Sequence, residues 1–128
     1  MEIENEVIEI PRIELKWSEW TPWDLKIDAR GTGIKVPNKV SGVYEVRYID
    51  TEERLTIGKA SDLRMRIKQG LIKGKIPLSA GKKIRANEDR SRIVVRWAIT
   101  ARPAAAEEEL HKKHFIKFHR LPKYVEFT

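Results

Sequence analysis

The sequence contains no cysteine, and this absence excludes several kinds of site at once. Disulfide frameworks, thiolate zinc sites and cysteine nucleophiles all require a thiol. Any metal must therefore be held by oxygen or by imidazole nitrogen. Asparagine and glutamine are also scarce, while Lys, Arg and Glu are abundant, a balance that is typical of heat-adapted proteins.

Long apolar runs are absent as well. No stretch approaches the roughly 20 apolar residues of a membrane-spanning helix, and the acidic start MEIENEVIEI lacks the basic-then-apolar layout of a signal peptide. We therefore expect an intracellular, cytoplasmic protein without a membrane partner. A chain of 128 residues with 41% hydrophobic content predicts one compact domain around a single core.

Positive charge is concentrated in the middle of the chain. Between Arg54 and Arg92 there are twelve Lys or Arg residues against three acids, whereas residues 1–30 hold eight acids and four bases. The net charge is +7. A cationic surface attracts phosphate polyanions because binding releases their counterions, so nucleic acid is the first partner to consider.

The same region predicts a hairpin followed by a helix. Val43–Ile49 and Arg54–Ile57 are rich in β-branched and aromatic residues, and a polar joint of turn-compatible length connects them. Ser61 and Asp62 then offer N-cap chemistry for a helix that ends near residues 71–73. The predicted buried stripe of this helix is Leu63, Ile67 and Leu71.

The N-terminal part is predicted to be an extension that packs on the domain. Residues 7–15 alternate as an extended segment does, but Pro11 removes a donor, so we expect an edge strand or an extended arm. Thr21 and Pro22 suit the start of a short helix over residues 22–29. The tryptophans at positions 17, 20 and 23 favour a lid over the core, although exposed aromatics near lysine also bind single strands.

The C-terminal part predicts a strand and a long helix. Residues 92–100 have the β propensity of a central strand, and residues 74–91 form a long, partly helical connection. A final helix opens at Pro103, with acids early and bases late, as the helix dipole favours. We therefore predict an α+β fold with a small central antiparallel β-sheet flanked by helices, in which residues 1–39 are the extension and 40–128 the domain.

The order of these pieces resembles a known nuclease family. A GVY run is followed by an IGKA run, Arg66 comes eight positions after the glycine of IGKA, and Glu107 stands three residues before a leucine in the last helix. Residues 40–125 are in this way similar to the GIY-YIG nuclease domain. The positions of its two short motifs are Gly42, Val43, Tyr44, Thr56, Ile57 and Gly58.

The resemblance implies a DNA endonuclease that depends on Mg²⁺ or Mn²⁺, with Tyr44, Arg66 and Glu107 as catalytic residues. A guanidinium such as that of Arg66 suits the negative charge that builds on the phosphate oxygens. The single carboxylate of Glu107 would hold one metal ion that keeps several waters. The phenol of Tyr44 would orient or deprotonate the attacking water.

The chain departs from the family at three positions. The family has tyrosine at the place of Thr56, histidine or tyrosine at that of Gly70, and a late asparagine where Val125 aligns best. Because threonine is no equivalent base, another group must take that role. His111, one helical turn from Glu107, is one candidate, and Tyr48, four residues along the strand from Tyr44, is another.

Three functions follow from these observations. The first is a GIY-YIG-type endonuclease with altered or reduced activity on duplex or branched DNA. The second is a DNA-binding module that has lost cleavage, and the third is a protein-interaction domain that uses the Trp-rich front. A protein partner or a homo-oligomer would supply specificity. The residues predicted to contact DNA phosphates are Lys59, Arg64, Lys68, Lys82, Lys83 and Arg85.

Overall fold

The structure is a computed structural model that describes residues 6–8, 12–25 and 35–125. Within these residues the chain forms four antiparallel strands and three helices. The strands are β1 (Thr21–Pro22), β2 (Gly42–Tyr48), β3 (Thr56–Ala60) and β4 (Ile93–Ile99). The helices are α1 (Met65–Ile72), α2 (Ser79–Asn87) and α3 (Pro103–Phe118). The prediction of an α+β fold with a small antiparallel sheet flanked by helices is confirmed.

The sheet has the strand order β1-β4-β2-β3, so β4 is an interior strand. Its middle is buried on both faces, as the apolar run from Ile93 to Ala98 predicts. Tyr44 in β2 pairs with Trp97 of β4 on one side and with Gly58 of β3 on the other. The central strand predicted over residues 92–100 is therefore confirmed, with β3 as one edge of the sheet.

The two faces of the sheet carry separate apolar clusters. Tyr44 and Val46 point to one face, where α1 and α2 cover the larger cluster. Val43 points to the other face and packs with Ala98 and with Ala106 of α3. Alternation along β2 and β3 therefore decides which residues can approach α3, and these include Ile57 and Lys59.

Strand β3 begins two residues later than predicted. The Leu55 N–H donates to the Val46 carbonyl at 2.7 Å, although Thr56 is the residue that pairs with Val46. Two residues thus oppose one, which is a β-bulge, and regular pairing starts only at Thr56. The strand instead continues through Lys59 and Ala60.

The short helix predicted over residues 22–29 is wrong for its described part. Thr21 and Pro22 pair with Val95 and Val94 as the outer strand of the sheet, a position that tolerates a residue without an N–H. Leu25 has φ +60°, which an α-helix cannot accommodate. Residues 26–29 lie outside the described residues.

An extended arm over residues 12–20 leads into β1, while residues 9–11 lie outside the described residues. Ile13, Leu15 and Trp17 pack on the Val43 cluster, and the residues between them are exposed. Ser18 donates its N–H to the Trp97 carbonyl at 2.8 Å. The alternation in the sequence therefore reflects an extended arm that packs on one face of the sheet.

Helix α1 carries the predicted buried stripe but is wound more widely than an α-helix. Asp62 Oδ1 accepts the Met65 N–H at 3.2 Å, as expected of an N-terminal cap, and the predicted stripe is fully buried. The Lys73 N–H bonds the Lys68 carbonyl, five residues back, which is π-helical spacing. Such segments are rare and are frequent at functional sites.

Gly42 marks a place in the sheet without room for a side chain. A Cβ there would lie 2.6 Å from Leu63 Cδ1 and closer still to the Ala98 carbonyl oxygen. We expect Gly42→Ala to lower the free energy of unfolding by about 2 kcal/mol, because overpacking of buried sites is destabilising. Gly70→Ala is the control, since its Cβ would meet Leu78 at an ordinary 3.5 Å. Urea unfolding of both variants checks this, and equal stability would contradict the packing.

No helix in the described part of the chain combines the length and the apolar character needed to cross a membrane.

Candidate functional site

Side chains on one side of α3 form hydrogen bonds with the backbone at the outer edge of β3. The Lys59 N–H donates to the Glu107 carboxylate, and His111 Nε2 lies 3.2 Å from the Ile57 carbonyl oxygen. The Arg54 N–H, just before the strand, donates to His114 Nε2 at 3.2 Å. Positions 107, 111 and 114 thus lie on one side of α3. Their side chains form hydrogen bonds with backbone groups of the β3 edge that are not paired with β2.

These bonds fix the state of His111 and His114. A carbonyl oxygen can only accept, so His111 donates through Nε2–H and keeps Nδ1 available as an acceptor. His114 Nδ1 lies 2.7 Å from the Arg120 carbonyl and so donates there, which leaves Nε2 to accept from Arg54. His114 is buried and both of its ring nitrogens have partners, whereas His111 is half-exposed. Only His111 is therefore open to a ligand.

Four side chains with complementary charge meet beside this edge. Burial raises the pKa of the Glu107 carboxyl, while His111 in its protonated form and the positive charges of Lys59 and Arg66 lower it, as does the Lys59 N–H bond. The four residues come from β3, α1 and α3. The structure therefore brings the predicted residues Glu107, His111 and Lys59 together at the β3 edge, and the charge of the predicted residue Arg66, on α1, acts on Glu107.

The same contacts also have a structural role. An uncovered edge strand presents unpaired backbone groups, and proteins protect such edges with a helix. Glu107, His111 and His114 do this for β3. Their i, i+4, i+7 spacing in the sequence indicates that they share one side of the helix. The spacing does not indicate which strand edge that side contacts.

Tyr44 lies on the other face of the sheet from the side chains of Lys59 and Glu107. Its ring packs under Gly58, where a Cβ would collide with Cζ and Oη, so this glycine is what allows the close approach. Tyr44 is only 1% exposed. The phenol thus reaches toward the same edge of the sheet but is closed to solvent.

Thr56, at the place of the second family tyrosine, is completely buried. Its hydroxyl oxygen has no hydrogen-bond partner among the described residues. Its side chain shares the face of Tyr44 and Val46 rather than that of Glu107. A hydroxyl in this position cannot activate a water molecule at the edge of β3.

Tyr48 is held away from the cluster. Its hydroxyl donates to Glu88 Oε1 at 3.0 Å and accepts the Asp89 N–H at 3.1 Å. Burial and the neighbouring acids raise the pKa of this phenol, so it stays protonated at neutral pH. Tyr48 is therefore a structural link between β2 and the connection that follows α2, and it is no substitute for the missing phenol.

The remaining predicted DNA contacts have different surroundings. Arg85 donates from Nη1 to the carbonyl oxygens of Gly70 and Leu71, at 3.0 and 2.7 Å, and so caps the end of α1. Arg64 Nε donates to the Val36 carbonyl at 2.8 Å. Both are half-exposed and tied to the backbone. The others lie on α1 and α2, on the opposite side of the sheet from α3: Lys68, Lys82 and Lys83.

An open groove runs along the outer side of α3 from the charged cluster. Glu107 and His111 line one end of it, and its volume is about 640 Å³. Its other end is apolar and is lined by Phe115, Ile116 and Leu121, all of which are exposed. The groove joins the charged cluster to an apolar surface.

A second cluster, built of arginine and tryptophan, lies on the α3 side of the sheet. Arg96 stacks between Trp17 and Trp20, with its Cζ at 4.1 and 4.6 Å from the ring centroids. Arg47 and Arg54 approach the Trp20 ring at 4.3 and 5.0 Å. The sequence predicted a lid over the core, and Trp17 does pack on the Val43 cluster. In addition, Trp17 and Trp20 make cation–π contacts with arginines.

A metal ion would find one protein carboxylate at the charged cluster. Among residues 6–8, 12–25 and 35–125, no three His, Asp or Glu side chains come close enough together to hold an ion. Mg²⁺ commonly binds proteins through one or two carboxylates and completes its shell with water and substrate phosphate. Glu107 fits that kind of site, and it does not fit a closed cage of protein ligands.

Comparison of the chain with models of protein families, with curated proteins and with solved structures gives no match in any of the three.

Proposed function

We propose that this protein hydrolyses phosphodiester bonds in DNA, as a divergent nuclease of the GIY-YIG type. The observation that carries the proposal is the bonding of Glu107 and His111 to the edge of β3, with the positive charges of Lys59 and Arg66 acting on the Glu107 carboxylate. These residues come from three elements and combine two permanent cations, one carboxylate and one imidazole. That is the set of groups that phosphodiester hydrolysis uses.

In this proposal Arg66 and Lys59 bind the phosphate. Their positive charges oppose the negative charge that grows on the nonbridging oxygens as water attacks. His111 keeps its Nε2–H on the Ile57 carbonyl, which fixes the ring, and Nδ1 takes a proton from the attacking water. The water oxygen forms the new bond to phosphorus, the bond to the leaving sugar oxygen breaks, and that oxygen takes a proton from solvent water.

Glu107 is the residue that would hold Mg²⁺ or Mn²⁺, and the ion would supply further charge neutralisation at the phosphate. The carboxylate keeps its bond to the Lys59 N–H, so its orientation is set by the backbone of β3. Tyr44 supports the site from below by filling the space under Gly58. His111 thus takes the role that the family assigns to the tyrosine at position 56.

A DNA-binding module without cleavage is the second candidate. It is favoured by the burial of Tyr44 and Thr56, which withdraws both family tyrosine positions from solvent. The cationic groups would then bind phosphate without any chemistry. Salt dependence of binding is expected for both candidates, because phosphate contacts weaken as salt rises.

Nicking of supercoiled plasmid separates the two candidates. We expect the wild type to nick in Mg²⁺ or Mn²⁺ and to stop in EDTA, and Arg66→Ala to nick at least about 100-fold more slowly, because the phosphate charge loses a directed donor. Arg90→Ala, an exposed arginine between α2 and β4, is the control. Equal nicking by all three proteins would indicate a contaminant, and salt-sensitive binding without nicking would favour the second candidate.

A further inference from the structure

The groove beside the charged cluster has an apolar part that the proposed chemistry does not use. The exposed fractions are 53% for Phe115, 75% for Ile116 and 42% for Leu121. In a chain with 35% charged residues these three side chains form a contiguous apolar wall. Apolar and aromatic side chains that line a concave surface beside a few polar groups are typical of ligand-binding sites.

The wall and the charged cluster belong to one groove. Glu107 and His111 line the same space as Phe115, Ile116 and Leu121. Any ligand that fills the apolar end therefore touches residues that the proposed reaction needs. A ligand with a charged phosphate at one end and a flat apolar part at the other matches both ends of the groove.

We propose that the apolar end binds an unpaired nucleobase, so that the substrate is a DNA strand with an unstacked base next to the cleaved phosphate. This inference rests on the proposed function. A phosphate held by Lys59 and Arg66 has its own nucleoside within reach of the groove, and an exposed Phe115 ring offers a stacking surface. Stacking of bases on aromatic side chains beside cationic residues is a general mode of single-strand binding.

An intact duplex does not fit this arrangement. Its bases are paired and stacked inside the helix, and a base must leave the stack before it can lie against a side chain in a pocket. Mismatched, bulged or single-stranded positions need the least energy for this step. The groove therefore favours single-stranded or locally unpaired DNA over regular duplex.

A second copy of the chain is the less favoured occupant. Each copy carries a net charge of +7, so self-association brings like charges together. A copy seated on Phe115 and Ile116 would also cover Glu107 and His111. The net charge of +7 instead favours a polyanion, and the positive charges of Lys59 and Arg66 act on Glu107, which lines one end of the groove.

Binding measurements without cleavage test the proposal. Three fluorescein-labelled probes of equal length are compared by anisotropy in EDTA: a single strand, a perfect duplex, and a duplex with one bulged 2-aminopurine. We expect the wild type to bind the first and third probes more tightly than the second. Phe115→Ala should weaken binding of those two by about tenfold and leave duplex binding unchanged. The 2-aminopurine fluorescence should be quenched on binding of the wild type only.

Ile49→Ala is the matched control, because Ile49 is 63% exposed and lies in the turn after β2, away from the groove. Unchanged binding of all probes by Phe115→Ala would overturn the inference, and so would equal weakening of duplex and single strand. A dimer of the wild type in sedimentation that Phe115→Ala abolishes would make a second copy the occupant and would likewise overturn it.

The experiment distinguishes failure of this inference from failure of the proposed function. The binding assay contains no metal and needs no cleavage, so Phe115-dependent preference for unpaired bases stands even if no plasmid is nicked. Mg²⁺-dependent nicking with no preference for unpaired bases would instead retain the nuclease and remove the base site.

Discussion

Glu107→Gln is expected to abolish at least about 99% of the nicking activity while the protein remains folded. Glutamine keeps an oxygen that accepts the Lys59 N–H, so the edge contact survives. It removes the charge that would hold the metal ion, and loss of one group that stabilises a transition-state charge typically lowers rates by about 100- to 1,000-fold. Initial nicking rates of wild type and variant at equal concentration measure the effect.

The stability of the same variant has an expected pH dependence. Burial raises the pKa of Glu107 in the folded protein, so the native state holds this proton to higher pH than the unfolded chain does. The contribution of Glu107 to the free energy of unfolding of the wild type therefore falls as the pH rises from the ordinary carboxyl range through the raised pKa. Above that range Glu107→Gln should be at least as stable as the wild type.

Glu109→Gln is the matched control for activity, because this exposed glutamate lies two residues along α3 and contacts only Lys112 among the described residues. It should nick at the wild-type rate. If Glu107→Gln nicks as fast as Glu109→Gln, Glu107 is no metal ligand and the proposed site is wrong. If Glu107→Gln unfolds at neutral pH, the expectation that glutamine preserves the edge contact is wrong.

Glu45→Gln is expected to destabilise the protein by about 3–5 kcal/mol. Glu45 is only 3% exposed and lies 2.5 Å from Arg96 Nη2 and 3.1 Å from Arg54 Nε. Burial, followed by the charges of Arg54 and Arg96, lowers the pKa of the neighbouring Arg47, and the charge of Glu45 acts in the opposite direction. Removing one partner of a buried ion pair leaves the other charge uncompensated, and that has an effect of this size.

Urea unfolding of Glu45→Gln and Glu52→Gln provides the comparison. Glu52 approaches the same arginine and tryptophan cluster, but its side chain is 71% exposed and pairs with Lys117 at 2.6 Å. Exposed pairs contribute about 0–1 kcal/mol, so Glu52→Gln should remain within about 1 kcal/mol of the wild type. Similar small losses in both variants would mean that the arginines do not depend on Glu45. Failure of Glu45→Gln alone to fold would agree with the prediction.

Local patterns in the sequence were sufficient for most of the fold. The stripe of Leu63, Ile67 and Leu71 predicted a helix because helical spacing places these side chains on one side, and all three are fully buried. The apolar run in β4 predicted an interior strand for a similar reason. The failures lie at Thr21–Pro22, where pairing with β4 overrides helix-start signals, and at the bulge before Thr56.

The candidate site was predictable only in part. Arg66, Glu107 and His111 were found from spacing and from the family resemblance, and the structure brings them together. Tyr48 was a candidate because it shares a strand face with Tyr44, yet its hydroxyl is bound to Glu88. Strand alternation predicts the face of the sheet on which a side chain lies, but it does not predict the group to which that side chain will bond.

The sequence by itself determined the absence of thiol chemistry, the cationic middle of the chain, and the residue types available for phosphate chemistry. Only the tertiary structure decided that Glu107 and His111 bond the edge of β3 and that the buried Glu45 pairs with the partly buried Arg54 and Arg96. The reason is physical: helix and strand periodicity act between neighbours, whereas the His111–Ile57 and Arg96–Glu45 contacts join residues 54 and 51 positions apart. Contacts over such distances are set by the register of the sheet and by the placement of α3 on it.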